Sequence, residues 1–179
     1  MKRAVFLDRD GVINKTRIIN GIPSPPSSSK ELELIDGVVE SVRRLKTIGF
    51  LPVVVTNQPD IARGLTDKVD VEAINSHIRS ITGIEYFYVC VHDDFDMCKC
   101  RKPAPGLLYD AALDLKISLK DSFMVGDRWR DIAAGQAAGC KNFFIDYKYP
   151  EKQPVQPFKR VSSLIAAVDV IVDGGYEYR

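Results

Sequence analysis

The chain has 179 residues, of which 25 are lysine or arginine and 24 are aspartate or glutamate, so its formal net charge is +1 at pH 7. This balance gives no electrostatic argument for a nucleic-acid partner or for an anionic membrane surface. A chain of this length is expected to fold as one domain over residues 1–179. No apolar run is long enough to span a bilayer, and the first predicted strand begins too close to Met1 for a signal peptide. We therefore expect a monomeric, cytoplasmic protein.

Predicted strands and helices alternate along the chain. Residues 4–7 form an apolar run that predicts the first buried strand, and a long Pro- and Ser-rich connection follows at 14–35. Further patterns predict strands at 51–55, 86–91, 122–125 and 142–145, and helices at 37–48, 67–80, 103–115, 129–138 and 161–168. Continuous apolar strands separated by helices are typical of a parallel sheet with helices on both faces, so the sequence predicts an α/β fold.

Two carboxylates, Asp8 and Asp10, end the first predicted strand and are followed by Gly11. Side chains two residues apart on an extended chain point to the same side, so both carboxylates are expected together at the strand's carboxyl end. Two like charges placed together are costly unless a proton or a cation neutralises them, and Mg²⁺ prefers such oxygen ligands. A carboxylate beside Mg²⁺ can also attack phosphorus. The alternative is a strand that simply runs into an acidic turn.

Polar side chains stand at three more positions of this kind. They are Thr56, Asn57 and Gln58 after the second predicted strand, Arg101 and Lys102 before the third predicted helix, and Asp127 and Asp131 after the fourth predicted strand. Ligands of open α/β sheets bind beyond the carboxyl ends of the strands, where these residues are expected to meet. Taken singly, each could be a turn cap, a solvated cation or a carboxylate at a helix start. Their joint occurrence favours one shared site.

Three of the four cysteines lie close to a histidine, in the pattern C-x-H followed by C-x-C. These four residues are Cys90, His92, Cys98 and Cys100. Three thiolates and one imidazole suit a closed tetrahedral Zn²⁺ site, which we expect to stiffen the adjoining Arg101-Lys102 loop rather than to activate water. The alternative is a set of reduced cysteines beside a surface histidine. Cys140 stands apart and is expected to be a small core residue.

In order along the chain, the polar motifs resemble those of the haloacid dehalogenase superfamily of phosphohydrolases. Asp8-Arg9-Asp10-Gly11 matches the first motif, Thr56 the second, Lys102 the third, and Gly126-Asp127 with Asp131 the fourth. The resemblance implies a single Rossmann-like domain without a large cap domain, in which phosphate esters are hydrolysed with Mg²⁺ as cofactor. It also implies a supporting role for Asp131.

The same resemblance implies roles for the other matched residues. Asp8 would attack phosphorus and form an aspartyl-phosphate, while Asp10 would act first as general acid and then as general base. Thr56 and Lys102 would hold the phosphoryl oxygens. Mg²⁺ would be bound by Asp8, Asp127 and the backbone carbonyl of Asp10.

The cysteine pattern followed by Arg101-Lys102-Pro103 is similar to two groups within this superfamily, the heptose 1,7-bisphosphate phosphatases and the histidinol-phosphate phosphatases. The segment 61–64 (Ile-Ala-Arg-Gly) and Arg128 match the heptose group better. The implied reaction removes the 7-phosphate of D-glycero-D-manno-heptose 1,7-bisphosphate, a small phosphorylated sugar of heptose or lipopolysaccharide biosynthesis. Histidinol phosphate or another small sugar phosphate is the alternative substrate. The residues predicted to bind substrate are Asn57, Gln58, Arg101 and Arg128.

Arginine can bind a second phosphate through paired hydrogen bonds, which favours a bisphosphate; ion pairs with nearby carboxylates are the alternative use of these arginines. In the absence of a cap domain, the connection 14–35 is expected to cover the bound sugar. Two other classes are a non-catalytic zinc-stabilised interaction domain and a phosphatase of nucleic-acid ends. The intact catalytic motif argues against the first, and the near-neutral charge argues against the second.

Overall fold

Six parallel strands form the central sheet of this protein, seen in a computed structural model that describes residues 1–19 and 22–176. The strands are β1 Arg3–Leu7, β2 Arg17–Ile19, β3 Ile22–Ser24, β4 Phe50–Asn57, β5 Tyr86–Cys90, β6 Phe123–Gly126, β7 Lys141–Ile145 and β8 Lys159–Val161. The helices are α1 Val38–Thr47, α2 Lys68–Thr82, α3 Gly106–Leu115, α4 Trp129–Ala137 and α5 Leu164–Val172. The central sheet has the order β5-β4-β1-β6-β7-β8, and β2 and β3 pair antiparallel as a separate small sheet.

The strand order reverses beside β1. The chain adds β4 and β5 on one side of β1 and then returns to add β6, β7 and β8 on the other side. The loops that leave β1 and β6 therefore diverge, and the crevice between them is where open α/β sheets bind ligands. Leu7 pairs with Val125 in this part of the sheet, and the amide of Asp8 donates to the Val125 carbonyl at 3.0 Å. The predicted first and fourth motifs thus start side by side.

The alternating side chains of β1 build two hydrophobic cores. Val5 and Leu7 face the core that includes α1, α2 and α5, while Ala4 and Phe6 face the core that includes α3 and α4. All four side chains are fully buried. Burial on both faces explains why the parallel strands are continuously apolar, and it confirms the predicted α/β fold with helices on both sides of the sheet.

Three parts of the chain differ from the sequence-based expectation. The connection 14–35 contains β2, β3 and a 3₁₀ turn at Ser29–Glu31. The third helix begins at Gly106 rather than at residue 103, because Pro103 and Pro105 lie in the turn before it. Residues 159–161 form edge strand β8, and the last helix begins after Ser163, whose hydroxyl accepts from the amide of Ala166. The charged residues of this short edge strand lack the apolar run that marks a central strand.

The longest helix in the described ranges is α2, with 15 residues. No helix in those ranges combines the length and the apolar character needed to cross a bilayer.

Candidate active site and cysteine cluster

Lys102 lies at the centre of a buried group of carboxylates. Its ammonium nitrogen Nζ is 2.8 Å from Oδ1 of Asp8 and 2.6 Å from Oδ1 of Asp131, and it donates to the carbonyl of Val55 at 2.8 Å. The residue is 2 % exposed, and these three acceptors satisfy its three N–H bonds. Burial alone would lower the pKa of Lys102, but the two carboxylates outweigh it and raise that pKa, so the side chain stays cationic.

The side chain of Asn57 holds Lys102 in this place. Its amide nitrogen Nδ2 donates to the carbonyl of Lys102 at 3.0 Å, and its Oδ1 accepts from the Lys102 amide at 3.1 Å. This reciprocal pair joins the end of β4 to the loop before α3. Asn57 therefore positions Lys102, a role not assigned to it from the sequence. Direct contact of Asn57 with a substrate stays a prediction.

Asp8, Asp127 and Asp131 bring three carboxylates together, with oxygen atoms that lie within 4.8 Å of one another. Burial raises the pKa of Asp8 to about 7, with Lys102 opposing the rise and Asp131 and Asp10 adding to it. Burial and the charges of Asp8 and Asp131 hold the pKa of Asp127 well above its usual range. Three carboxylates face a single ammonium group, so the cluster has excess negative charge once its protons are lost, and it suits a cation with oxygen ligands.

Asp127 has one hydrogen-bonded and one unpaired carboxylate oxygen. The hydroxyl of Tyr149 donates to Oδ2 at 3.0 Å, whereas the buried Oδ1 has no hydrogen-bond partner among the described residues. Gly11 makes room for this carboxylate, since a Cβ atom at that position would lie 2.0 Å from Oδ2. The φ angle of Gly11 is also +91°, which disfavours any other residue. Gly11 of the first motif is thus needed because a larger residue would clash with Asp127 of the fourth motif.

Three side chains fix the carboxylate of Asp10. Arg9 donates to both of its oxygens at 3.0–3.3 Å, Asn14 donates to Oδ1 at 2.9 Å, and Gln58 donates to Oδ2 at 2.8 Å. Arg9 is 0 % exposed and is anchored on α2 by a 3.0 Å hydrogen bond to Oδ1 of Asn75. A buried arginine needs such partners, so it serves here to orient Asp10.

A cleft of about 370 Å³ opens over these carboxylates. Nine residues predicted from the sequence line it, namely Asp8, Asp10, Asn57, Gln58, Arg101, Lys102, Asp127, Arg128 and Asp131. Thr56 lies buried beside it, and its hydroxyl accepts from Nε2 of Gln58 at 2.8 Å. Pro23, Ser24 and Pro25 form part of the cleft wall, so the connection 14–35 reaches the edge of this site, and its role as a cover over the sugar stays a prediction.

A second cavity, of about 600 Å³, adjoins the first at Thr16, which lines both. Its wall includes Gly11 and the aromatic side chains of Tyr147 and Tyr149, and it contains no carboxylate residue. We therefore place the chemistry in the smaller cleft, where the titratable groups converge.

Both arginines predicted to bind substrate form ion pairs. Nε of Arg101 donates to Oδ1 of Asp94 at 2.8 Å, and Nε of Arg128 donates to the two carboxylate oxygens of Glu151 at 2.7 and 2.8 Å. Their side chains are 10 % and 32 % exposed and line the cleft. The ion-pair alternative is therefore present in this structure, with Asp94 and Glu151 as the partners, and contact with substrate stays a prediction.

The structure brings Cys90, His92, Cys98 and Cys100 together. The Sγ–Sγ separations are 3.7 Å for Cys90–Cys98, 3.2 Å for Cys90–Cys100 and 3.5 Å for Cys98–Cys100, all too long for a disulfide. Nδ1 of His92 lies 3.6 Å from Sγ of Cys90 and 3.3 Å from Sγ of Cys100. A tetrahedron of sulfurs around Zn²⁺ has edges of about 3.8 Å, so this compact set fits a four-coordinate metal.

Three residues in or beside the cleft were given no individual role from the sequence. Arg63 binds Asp93 at 2.8 Å, Arg130 binds Asp94 at 3.0 Å, and Tyr149 binds Asp127. Arg130 and Tyr149 follow strands β6 and β7 at their carboxyl ends, so the rule that polar residues at such ends face the ligand could have found them. Arg63 stands in the 61–64 segment already noted.

The strand order and the carboxylates beyond its reversal point place the chain among the Rossmann-like α/β proteins that bind ligands at the strand ends. More narrowly, the chain belongs to the haloacid dehalogenase-like hydrolases, whose family model matches residues 27–139. The matched range includes Thr56, Lys102, Asp127 and Asp131. The resemblance inferred from the motifs is confirmed.

Three similar proteins are named as phosphatases of heptose 1,7-bisphosphate. The D-glycero-β-D-manno-heptose-1,7-bisphosphate 7-phosphatase of Helicobacter pylori strain J99 is 34 % identical over 158 residues, which cover 85 % of this chain and 87 % of that protein. The protein of the same name from Escherichia coli K12 is 38 % identical over 148 residues, covering 75 % and 74 %. The crystal structure of D,D-heptose 1,7-bisphosphate phosphatase from B. bronchiseptica, complexed with magnesium and phosphate, matches with a TM-score of 0.83 at 27 % identity, covering 97 % and 99 %.

Proposed function

We propose that this protein is a Mg²⁺-dependent phosphatase that removes the 7-phosphate of D-glycero-D-manno-heptose 1,7-bisphosphate. The observation that carries the proposal is the buried contact between Asp8 and Lys102, which places a carboxylate nucleophile beside a cation at the base of an open cleft. The 7-phosphatases from H. pylori and E. coli, to which this chain is similar along most of its length, support the choice of substrate.

In this proposal, an oxygen of Asp8 attacks the phosphorus of the 7-phosphate. The bond between phosphorus and the sugar oxygen breaks, and Asp10 gives its proton to the departing oxygen. Asp10 then takes a proton from water, which attacks phosphorus, breaks the bond to Asp8 and releases inorganic phosphate. Lys102 and Thr56 hold the phosphoryl oxygens, and Arg9 keeps Asp10 aligned for both steps.

The residues around Asp8 fit a Mg²⁺ ion. The available donors are oxygen atoms, the three carboxylates outnumber the one ammonium group beside them, and the buried Oδ1 of Asp127 has no hydrogen-bond partner among the described residues. We propose Asp8, Asp127 and the backbone carbonyl of Asp10 as ligands. When bound, Mg²⁺ supplies positive charge that neutralises the transferring phosphoryl group.

Asp131 supports this site without being a required ligand. One of its oxygens pairs with Lys102, and the other accepts from the amide of Arg128 at 2.9 Å at the start of α4. Asp131 thereby joins Lys102 to the first turn of α4.

Mg²⁺ should raise the melting temperature more at about pH 8 than at about pH 5. Without metal, the folded protein keeps the proton on Asp8 up to about pH 7, whereas the unfolded chain releases it near the ordinary value of 3.8. The metal-free protein therefore loses stability as the pH rises through this window, and Asp127 adds to the effect because its pKa is also raised. Mg²⁺ binds the deprotonated oxygens, so its stabilising effect grows over the same range.

This expectation is checked by thermal denaturation with Mg²⁺ and with a chelator at both pH values. An equal gain in melting temperature at the two pH values would contradict it.

The cysteine cluster is proposed as a structural Zn²⁺ site. Four protein ligands close the coordination shell of a tetrahedral ion and leave no position for water or substrate. The cluster lies directly before Arg101 and Lys102, and the amide of Arg101 donates to Sγ of Cys98 at 3.4 Å. We therefore propose that the metal fixes the loop that presents both cations to the cleft.

Arg101→Ala should reduce kcat/KM for the heptose bisphosphate by roughly 10- to 100-fold, because a charge-assisted hydrogen bond to the second phosphate is lost. The loss for a simple monophosphate ester should be several-fold smaller. The rates are measured by phosphate release, and ³¹P NMR of the product shows which phosphate is removed. Arg43→Ala is a matched control, since Arg43 is an exposed arginine paired with Glu40 on α1.

Equal losses on both substrates would overturn the proposed second-phosphate contact. A clear preference of the wild-type enzyme for histidinol phosphate would overturn the proposed substrate, because that ligand brings a cationic amine toward a cleft lined by arginines. The monomeric state and the cytoplasmic location stay predictions.

A further inference from the structure

The loop after β7 contacts Asp127 of the fourth motif and Arg128, the residue directly after it. The hydroxyl of Tyr149 donates to Oδ2 of Asp127 at 3.0 Å, and Glu151 pairs with the guanidinium of Arg128. The guanidinium carbon of Arg128 also lies 5.9 Å from the centre of the Tyr149 ring. Nothing in the phosphatase mechanism above requires this loop, so its contact with a proposed metal ligand calls for a separate explanation.

The surroundings of Asp127 make its two oxygens unequal. Oδ2 is enclosed between the Tyr149 hydroxyl and Gly11, where a Cβ atom would lie 2.0 Å away. Oδ1 is buried and has no hydrogen-bond partner among the described residues. Asp127 is only 1 % exposed, so water does not provide the missing partner freely. One oxygen is therefore held by the protein, and the other is left for a cation in the Asp8–Asp127–Asp131 cluster.

We infer that Tyr149 is a positioning residue for the metal site, whose hydroxyl fixes the orientation of Asp127 so that Oδ1 faces the cation. Removal of a group that hydrogen-bonds to a metal ligand typically lowers metal affinity or activity 10- to 100-fold. A hydroxyl suits this task better than lysine or arginine would, because it orients the carboxylate without adding a positive charge that repels the metal. The inference rests on the proposed function in one respect, that Asp127 is a Mg²⁺ ligand.

The alternative is that Tyr149 only lines the neighbouring 600 Å³ cavity and acts through the packing of its ring. Tyr149→Phe separates the two roles, because it keeps the ring and removes only the hydroxyl. Tyr147→Phe is the matched control. The Tyr147 ring lines the same cavity and lies 5.7 Å from the Tyr149 ring, but in the described ranges no hydrogen bond joins Tyr147 to Asp127.

The protein is depleted of Mg²⁺ but keeps the Zn²⁺ of its cysteine cluster. Mn²⁺ binding is then measured by electron paramagnetic resonance and Mg²⁺ binding by calorimetry. Tyr149→Phe is expected to weaken both affinities by about 10- to 100-fold, and Tyr147→Phe to leave them within about twofold of wild type. The Mg²⁺ concentration for half-maximal phosphatase activity should rise by the same factor in Tyr149→Phe, while KM for substrate at saturating Mg²⁺ stays unchanged.

Wild-type affinity in Tyr149→Phe would overturn the inference, as would an equal loss of affinity in Tyr147→Phe, which would assign the effect to packing. Failure of the proposed function is a separate result. In that case the wild-type protein itself would not bind Mg²⁺ or would not hydrolyse the bisphosphate.

Discussion

Asp8→Asn should lower kcat by roughly four to six orders of magnitude while leaving the protein folded. Asparagine has nearly the same shape as aspartate, and its carbonyl oxygen can still accept the 2.8 Å hydrogen bond from Lys102. Its neutral amide cannot displace a sugar oxygen from phosphorus, so no aspartyl-phosphate forms. Above about pH 7, where Asp8 of the metal-free protein is ionised, the substitution also removes one negative charge from a buried cluster of three carboxylates, so the melting temperature should not fall there.

The measurement compares single-turnover phosphate release and thermal denaturation for wild type and variant. Asp110→Asn is a suitable control, because Asp110 is an exposed aspartate on α3. Rapid acid denaturation of wild-type enzyme during turnover should retain labelled phosphate on Asp8, because an acyl phosphate survives acid, and the variant should retain none. Near-normal turnover by Asp8→Asn, or turnover unaffected by a chelator of Mg²⁺, would contradict the proposed mechanism.

The meeting of the four motifs was predictable because a parallel sheet brings the carboxyl ends of its strands to one edge. Asp8 and Lys102 lie 94 residues apart in the chain, yet their side chains touch. Asp8 follows β1, and Lys102 lies in the loop before α3, and both positions are at that edge of the sheet. The need for Gly11 is only partly visible in the sequence. The turn after the strand favours glycine, but the close approach of Asp127 is seen only in the folded protein.

The partners of individual side chains were not predictable, because they depend on rotamers and on packing between distant segments. Asn57 looked like a substrate contact, and the structure shows both polar atoms of its amide bound to the Lys102 backbone. Arg128 was predicted to bind a phosphate, with an ion pair as the alternative, and its partner Glu151 stands 23 residues later in a loop without a recognisable pattern. Tyr149 belongs to the same loop. Sequence spacing predicts which strand end a residue follows. The conformation of the folded loop determines which side chains that residue contacts.

The cysteine cluster differs from these cases, because all of its members lie within eleven residues and their spacing alone predicts the contact. The turn between the two pairs is closed locally by Asp93, whose side chain accepts from the amide of Asp94, and by Asp96, whose side chain accepts from the amide of Asp93. Asp93 and Asp94 then bind the arginines Arg63 and Arg101 at the cleft. A loop that positions cations is thus built directly on the proposed metal ligands.

Cys100→Ser should remove most of the bound zinc and lower the melting temperature by roughly 10 °C or more, because metal binding is coupled to folding and a loss of a few kcal/mol shifts the midpoint of a domain of this size by that amount. The Arg101-Lys102 loop should loosen as well, so kcat/KM should fall even though Cys100 touches no substrate.

Elemental analysis of wild-type protein should find about one zinc per chain. Cys140→Ala is the matched control, since Cys140 is buried outside the cluster and should keep its zinc content. Wild-type protein that contains no zinc, or that melts identically after the metal is stripped, would show that these four residues do not form a structural metal site.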